Sequence, residues 1–411
     1  MHKRLNFLIL AENLDIQITS SSKCISKIIC ALKVTHNVEV LYHPMYGSKF
    51  SWLKGATMTA LEELAEEEET RYSLKDKIQA RWTGFSFQEQ LKIKLWQDGI
   101  SSAIAQTQFD AIIALASGVD FYTHHALASM DIKIPILSYY HDPYPWKYYP
   151  KTYRNTSGKI IQRLKAKSLN RLIKNSKANL FPSKKLAGLF QKYYDLPVES
   201  IHVTPHLLME LDQLYPWNSD NDYFVKESDF NITHAGSLHS SRKVETLLKA
   251  FELFLDNHKE NDSVYLNFIG PINDFKSIFE EFDAKRSGKV RLFGRLGYHE
   301  SLRELAHSQV NVIIEADDNE SPFLPGKFPD YVMANRPILY IGPEDSEVRR
   351  LLGSDHSHKV EHGQVHKLEE ILENLYQEFC DKGSLKLTRL DLEDYLSPQS
   401  FERQIVQILT D

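Results

Sequence analysis

The sequence predicts an α/β protein made of two successive units, each organised around its own parallel sheet. Three observations predict it. Short β-rich runs alternate with longer helical stretches, which is the signature of βα units around parallel strands. The alternation comes in two series separated by a polar, proline-containing stretch. Finally, 411 residues suffice for two or three domains, each with its own core.

In the first series, strands are predicted at Asn6 to Leu10, Val38 to Tyr42, Ala111 to Ala116, Ile134 to Tyr139, Ala178 to Phe181 and Ile201 to Val203. Pro205 to Tyr223, with Pro216 and the run Asn218-Ser219-Asp220-Asn221-Asp222, has the chemistry of a hinge. In the second series, strands are predicted at Asn231 to His234, Tyr265 to Ile269, Val290 to Phe293, Val310 to Ile314 and Pro337 to Ile341. Helices are predicted between them at Val244 to Asp256 and His299 to Ala306. Phe401, Ile405, Val406 and Leu409 follow Ser397-Pro398 at helical spacing. The domains are therefore placed at 1–206 and 207–395, with 396–411 a terminal helix able to dock on either.

With 42% hydrophobic and 25% charged residues, the chain falls outside the disordered, collagenous and disulfide-scaffold classes. Its net charge of −6 names no partner, but the charges are unevenly placed. Lys147 to Tyr194 carries 13 Lys/Arg and no Asp or Glu, whereas Glu62 to Glu69 packs six Glu into eight positions. The apolar start from Leu5 to Ala11 is cut off by Glu12 and Asp15, so it reads as a buried first strand and not a signal peptide. No uncharged apolar run approaches the roughly 18 to 20 residues of a spanning helix. Cys24, Cys30 and Cys380 form no Cys-x-x-Cys pair, which suggests neither a disulfide framework nor a thiolate metal site. These features place the protein in the cytoplasm.

Ligands of open parallel sheets bind at the carboxyl ends of the strands, so the loops there carry the chemistry. In Ile232 to Leu248 a strand runs into Gly236-Ser237, a polar turn, Arg242-Lys243 and an amphipathic helix. Glycine permits close backbone approach, and a helix start with two cations suits a diphosphate. The competing reading is a helix capped by Ser240 or Ser241 with two solvated cations. In Glu315 to Leu339, four carboxylates (Glu315, Asp317, Asp318, Glu320) precede a Pro/Gly loop, Lys327 and Asp330. Asp330 could accept from a ribose diol and Lys327 could neutralise phosphate, or they could be a first-turn acid and a solvated cation.

The segments GSLHSSRKVETLLKAF, LNFIGP, VRLFGRLGYHESLRELAHSQVNVII and SPFLPGKFPDYVMANRPIL, in this order, resemble the donor-binding half of GT-B-fold glycosyltransferases, closest to family 4. The resemblance spans roughly Phe230 to Leu352. Upstream, Leu180 to Ser183 and Ile201 to His206 look like the family's late amino-domain strands, while the first 110 residues match only as generic βα.

This resemblance implies two Rossmann-like βαβ domains facing a central cleft and a retaining, metal-independent transfer of a sugar from a nucleotide diphosphate sugar. The acceptor would be a glycan, lipid-linked or protein molecule, and no cofactor is expected beyond the sugar nucleotide. Aligned on Gly236, the family's Arg position is Ser237 and its Lys position is Lys243, with Arg242 adjacent. The family's pair of Glu residues falls on Pro322 and Asp330, leaving Glu320 as the nearest acid to the first. Arg295 lies in the loop where the family contacts the base. His141 and Asp142, just after a strand, are assigned to the reacting sugar and to its orientation or that of an acceptor hydroxyl; a plain turn before Pro143 is the alternative. The substitutions at Ser237 and Pro322 keep open a non-catalytic binding or scaffold subunit, and a nucleotide-sugar epimerase shares the fold.

Six aromatics in the eleven residues Tyr139 to Tyr149 suit sugar stacking or a membrane interface. The basic amphipathic stretch 159–177 suits peripheral contact with anionic lipid on the inner membrane face, ahead of a solvated helix face; nucleic acid is not expected. His356, His358, His362 and His366 approach i, i+4 metal spacing, but Gly363 interrupts that helix, so no metal is assigned. Thr19 to Ser22 offers hydroxyls where family members carry a Gly-rich loop.

Overall fold

A computed structural model describes residues 4–12, 14, 20–43, 53–61, 73–116, 120–155, 157–209, 224–258 and 262–411. The acidic run Glu62 to Glu69, Thr19 and most of the hinge segment lie outside the described residues. The chain divides into two compact units, Met1–Tyr149 with Tyr153–Tyr215 and Leu396–Asp411, and Pro150–Thr152 with Pro216–Tyr395.

The first unit contains β1 (Asn6–Ala11), β2 (Asn37–Tyr42), β3 (Thr57–Ala60), β4 (Ala111–Ala116), β5 (Ile136–Tyr140), β6 (Ala178–Phe181) and β7 (Ile201–Val203). They form one parallel sheet in the order β3-β2-β1-β4-β5-β6-β7. The runs in β1 and β4 are almost wholly apolar because helices cover both faces of such a sheet; all six residues of β4 are buried. The edge strand β3 reads TMTA and is mostly exposed, so it carries no hydrophobic signal and the sequence reading missed it.

Helix Lys159–Asn175 buries Ala166, Leu169, Leu172 and Ile173 in this unit's core. Its apolar stripe therefore packs inward, and the exposed surface is chiefly Lys159, Arg163, Lys167, Arg171 and Lys174, together with Ile160. Helix Leu74–Thr83 packs beside it and ends at Gly84 (φ 91°), where a Cβ would lie 2.9 Å from Leu164 Cβ. The terminal helix Pro398–Thr410 is started by the Ser397 side chain, which accepts from Ser400 N–H. It buries Phe401, Ile405 and Ile408 on the first unit, and its Glu402 pairs with His36 at 3.0 Å.

The second unit holds β8 (Phe230–Ala235), β9 (Val264–Ile269), β10 (Val290–Gly294), β11 (Val310–Ile314), β12 (Glu320–Ser321), β13 (Ile338–Ile341), β14 (Asp345–Ser346) and β15 (Lys359–Val360). A parallel sheet runs β10-β9-β8-β11-β13-β15, and β12 pairs with β14 alone. Helix Glu245–Asn257 lays Leu247, Leu248, Phe251 and Phe254 on the core with Phe230, Leu266 and Leu372. Each such side chain contributes roughly 2 kcal/mol of hydrophobic stabilisation. Thus both units are α/β with parallel sheets, in line with the predicted fold class.

Several local expectations differ. Helix Glu245–Asn257 starts from Val244 with no side-chain cap, so neither Ser240 nor Ser241 caps it. The histidine stretch is not a helix before Val365, since His356 and His362 donate from Nε2 to the carbonyls of Ile338 (2.8 Å) and Glu315 (3.0 Å). Of the six aromatics in 139–149, Tyr139, Tyr140 and Tyr144 are at most 2% exposed, and only Trp146 is classed as exposed, at 40%. Tyr144 stacks on Phe121, and Tyr140 stacks on Phe181 and tilts against Phe190, because a loop this apolar is drawn into the core. No helix among the described residues is long and apolar enough to cross a membrane.

Candidate functional site

In the second unit, three glycines line the carboxyl edge of adjacent strands. Gly236 N–H donates to Ile269 O at 2.6 Å, and Gly270 N–H donates to Gly294 O at 2.6 Å. Their φ values of 147°, 122° and 62° lie where side chains are disfavoured. Gly270 also needs the missing side chain for space, because a Cβ there would stand 2.6 Å from the Gly236 carbonyl oxygen. The turn after Gly236 is fastened by Leu238 N–H to Pro271 O (2.9 Å) and by the Arg242 guanidinium to Ser237 O (3.3 Å).

Positive charge gathers at this turn. The Lys327 ammonium donates to Ala235 O and occupies the space a Gly236 side chain would take. A Cβ on Gly236 would also lie 3.7 Å from His234 Nε2. His234 is 1% exposed; burial first, then the neighbouring Lys327 and Arg242, hold its pKa well below the usual imidazole value. Its Nδ1–H donates to Val312 O at 3.0 Å, so Nε2 carries the lone pair. His234 Nε2 and Arg242 Nε are buried without a hydrogen-bond partner among the described residues. Buried polar groups without partners are costly, and a polar ligand at the turn would meet both.

The expected pair of cations is reassigned within this site. Lys243 turns outward to Asp317 at 2.6 Å, an exposed ion pair that raises the lysine's pKa, first through that hydrogen bond and then through the charge. Adjacent helix-start residues point in different directions, so Arg242 reaches the glycine turn together with Lys327. Asp330 is 7% exposed in the first turn of helix Phe328–Met333 and accepts from the Tyr298 hydroxyl at 2.9 Å. Glu320 is exposed in β12, and Arg295 is exposed just after β10. Ser237 is half-buried in the turn itself. A separate cavity of about 460 Å³ is lined by Lys151, Asp317, Asp318, Glu361 and His362 among others.

In the first unit, His141 and Asp142 follow β5 and are half-buried. Burial lowers the His141 pKa while Asp142 opposes the shift, and the ring lies 4.6 Å from that of His206. Sequence reasoning did not single out Glu12, at the end of β1. Its carboxylate accepts from Thr123 N–H (2.8 Å) and Oγ1 (3.0 Å), and burial raises its pKa to about 7. A carboxyl raised on folding favours the folded state below its unfolded pKa of 4.5, and this contribution is lost as pH rises through about 7. Glu12→Gln is therefore expected to stabilise the protein at about pH 8, on the order of 2 kcal/mol, and not at about pH 4. Melting curves at the two pH values check this, and equal shifts would contradict it.

Two parallel-sheet units with ligand-ready loops at the strand ends define the GT-B glycosyltransferase fold. A solved structure of Anabaena Alr3699/HepE with UDP and glucose aligns over 99% of this chain and 100% of its own, at 11% identity and a TM-score of 0.65. A glycosyltransferase from Rickettsia africae aligns over 99% and 98%, at 13% identity and 0.64. WaaG, a glycosyltransferase involved in lipopolysaccharide biosynthesis, aligns over 95% and 99%, at 12% identity and 0.58. Residues 60–207 match the model of Glycosyltransferase Family 4, and the chain as a whole shares the GT-B fold of these solved structures. No curated protein matches the sequence. The family match falls in the amino-terminal half, where sequence reading found only the late strands; the motifs it used lie in the carboxyl-terminal half.

Proposed function

We propose that the protein transfers a sugar from a nucleoside diphosphate sugar, bound by the second unit, to a glycan, lipid-linked or protein acceptor, with retention at the anomeric carbon. The observation that carries this reading is the meeting of Lys327, Arg242 and the His234 Nε2 at the Gly236 turn. The acceptor hydroxyl oxygen bonds to C1 as the bond from C1 to the diphosphate oxygen breaks, and the departing diphosphate takes the electron pair and, on the same face, the hydroxyl proton. Lys327 and Arg242 stabilise that developing charge from fixed positions, the role a divalent cation fills elsewhere. Asp330 and Tyr298 hold a ribose hydroxyl, and Asp142 orients the acceptor hydroxyl.

The HepE structures with UDP and with UDP-glucose favour a uridine diphosphate sugar as the first donor to test. Nuclear magnetic resonance of the reaction products separates the readings. A new glycosidic bond with the donor's anomeric configuration is expected. An inverted product would contradict retention, and an epimerised nucleotide sugar without transfer would replace this reading with epimerisation.

A further inference from the structure

A second cluster lies at the carboxyl edge of the first unit's sheet. Cys24 sits in helix Ser20–Lys33 after β1, His141 follows β5, and His206 follows β7. One ligand atom from each lies within 4.8 Å of the other two. Cys24 and His206 are 3% and 2% exposed, while His141 is half-buried, so an ion enters from the His141 side. The Tyr139 hydroxyl donates to Thr204 O at 3.4 Å and lies 3.2 Å from His206 Nδ1. When the tyrosine accepts the Nδ1–H, Nε2 is the basic nitrogen of that ring. Ligand histidines are commonly oriented by such a bond on their other nitrogen.

We propose that Cys24, His141 and His206 form a binding site for one borderline-soft divalent ion of the Zn²⁺ class. One thiolate and two imidazoles suit Zn²⁺ or Co²⁺ and disfavour Mg²⁺ and Ca²⁺, which take oxygen ligands. Bonds of about 2.3 Å to sulfur and about 2.0 Å to nitrogen place ligand atoms roughly 3.5 Å apart, so the three side chains close by about 1 Å on the ion. On binding, the Cys24 thiol releases its proton to solvent as the sulfur–metal bond forms, and both histidines bind neutral. The fourth tetrahedral position is left to water. The ion ties the first helix to the loops after β5 and β7.

Titration of the full chain with Co²⁺, without nucleotide, tests this independently of the donor reading. One ion per chain is expected, with tetrahedral ligand-field bands and a sulfur-to-cobalt charge-transfer band, all displaced by Zn²⁺. Cys24→Ser should abolish the charge-transfer band and His206→Gln should alter the ligand-field bands, while Cys380→Ser, at an exposed cysteine, should leave both unchanged. Zn²⁺ should raise the melting temperature of the parent protein, and Mg²⁺ should not. Absence of these bands in the parent, or survival of the charge-transfer band in Cys24→Ser, would overturn the proposal. The parent titration decides even if a variant folds poorly.

Discussion

Lys327→Ala is expected to slow sugar transfer by a factor on the order of 100 to 1,000, about 3 kcal/mol of transition-state stabilisation. The lysine stands at the Gly236 turn, beside buried His234, and is held there by the Ala235 carbonyl. A cation fixed where the diphosphate charge develops needs no reorganisation during the reaction, which is why its removal costs so much. Lys243→Ala is the matched comparison, because Lys243 is 53% exposed and paired with Asp317. An exposed, solvent-screened pair of this kind contributes little, so Lys243→Ala should lose less than about tenfold. Steady-state rates of the two variants check the assignment; equal losses would restore the adjacent Arg242-Lys243 pair suggested by the sequence.

Gly270→Ala is expected to abolish measurable nucleotide binding and to destabilise the second unit by at least about 2 kcal/mol. Its φ of 122° is unfavourable for a residue with a side chain, and the new Cβ would fall 2.6 Å from the Gly236 oxygen and 2.7 Å from the Gly236 carbonyl carbon. Those neighbours are backbone and cannot rotate away. Relief requires the Gly236 turn to move, which displaces the surface that Lys327 and Arg242 flank. Gly353→Ala, at a glycine of the same unit with φ 93° and nothing within 4 Å, introduces backbone strain without the clash. Chemical denaturation and nucleotide titration on both variants check the prediction. A Gly270→Ala protein that binds nucleotide as tightly as the parent would show that the loop contact does not shape the site.

Much of the architecture was legible because strands buried on both faces leave unbroken apolar runs, as in Ala111–Ala116 and Val310–Ile314. The exposed edge strand Thr57–Ala60 and the two-residue strand Lys359–Val360 leave no such trace. The glycine turn, Arg242 and Lys327 could be read from local pattern, but the direction in which each side chain points could not. Lys243 looked equivalent to Arg242 until the fold paired it with Asp317. The aromatic loop misled for a related reason, since composition does not distinguish a ring stacked on a ligand from Tyr144 stacked on Phe121. Cys24, His141 and His206 are far apart in sequence, and only the sheet order brings them together.

The central claim is that the second unit binds a nucleoside diphosphate through the Gly236 turn. Calorimetric titration of the full chain with uridine, guanosine, adenosine and thymidine diphosphates tests it most directly. The account predicts saturable binding, one molecule per chain, for at least one of them, weakened at least tenfold by Lys327→Ala. Absence of binding to all four, or binding unaffected by that substitution, would contradict it.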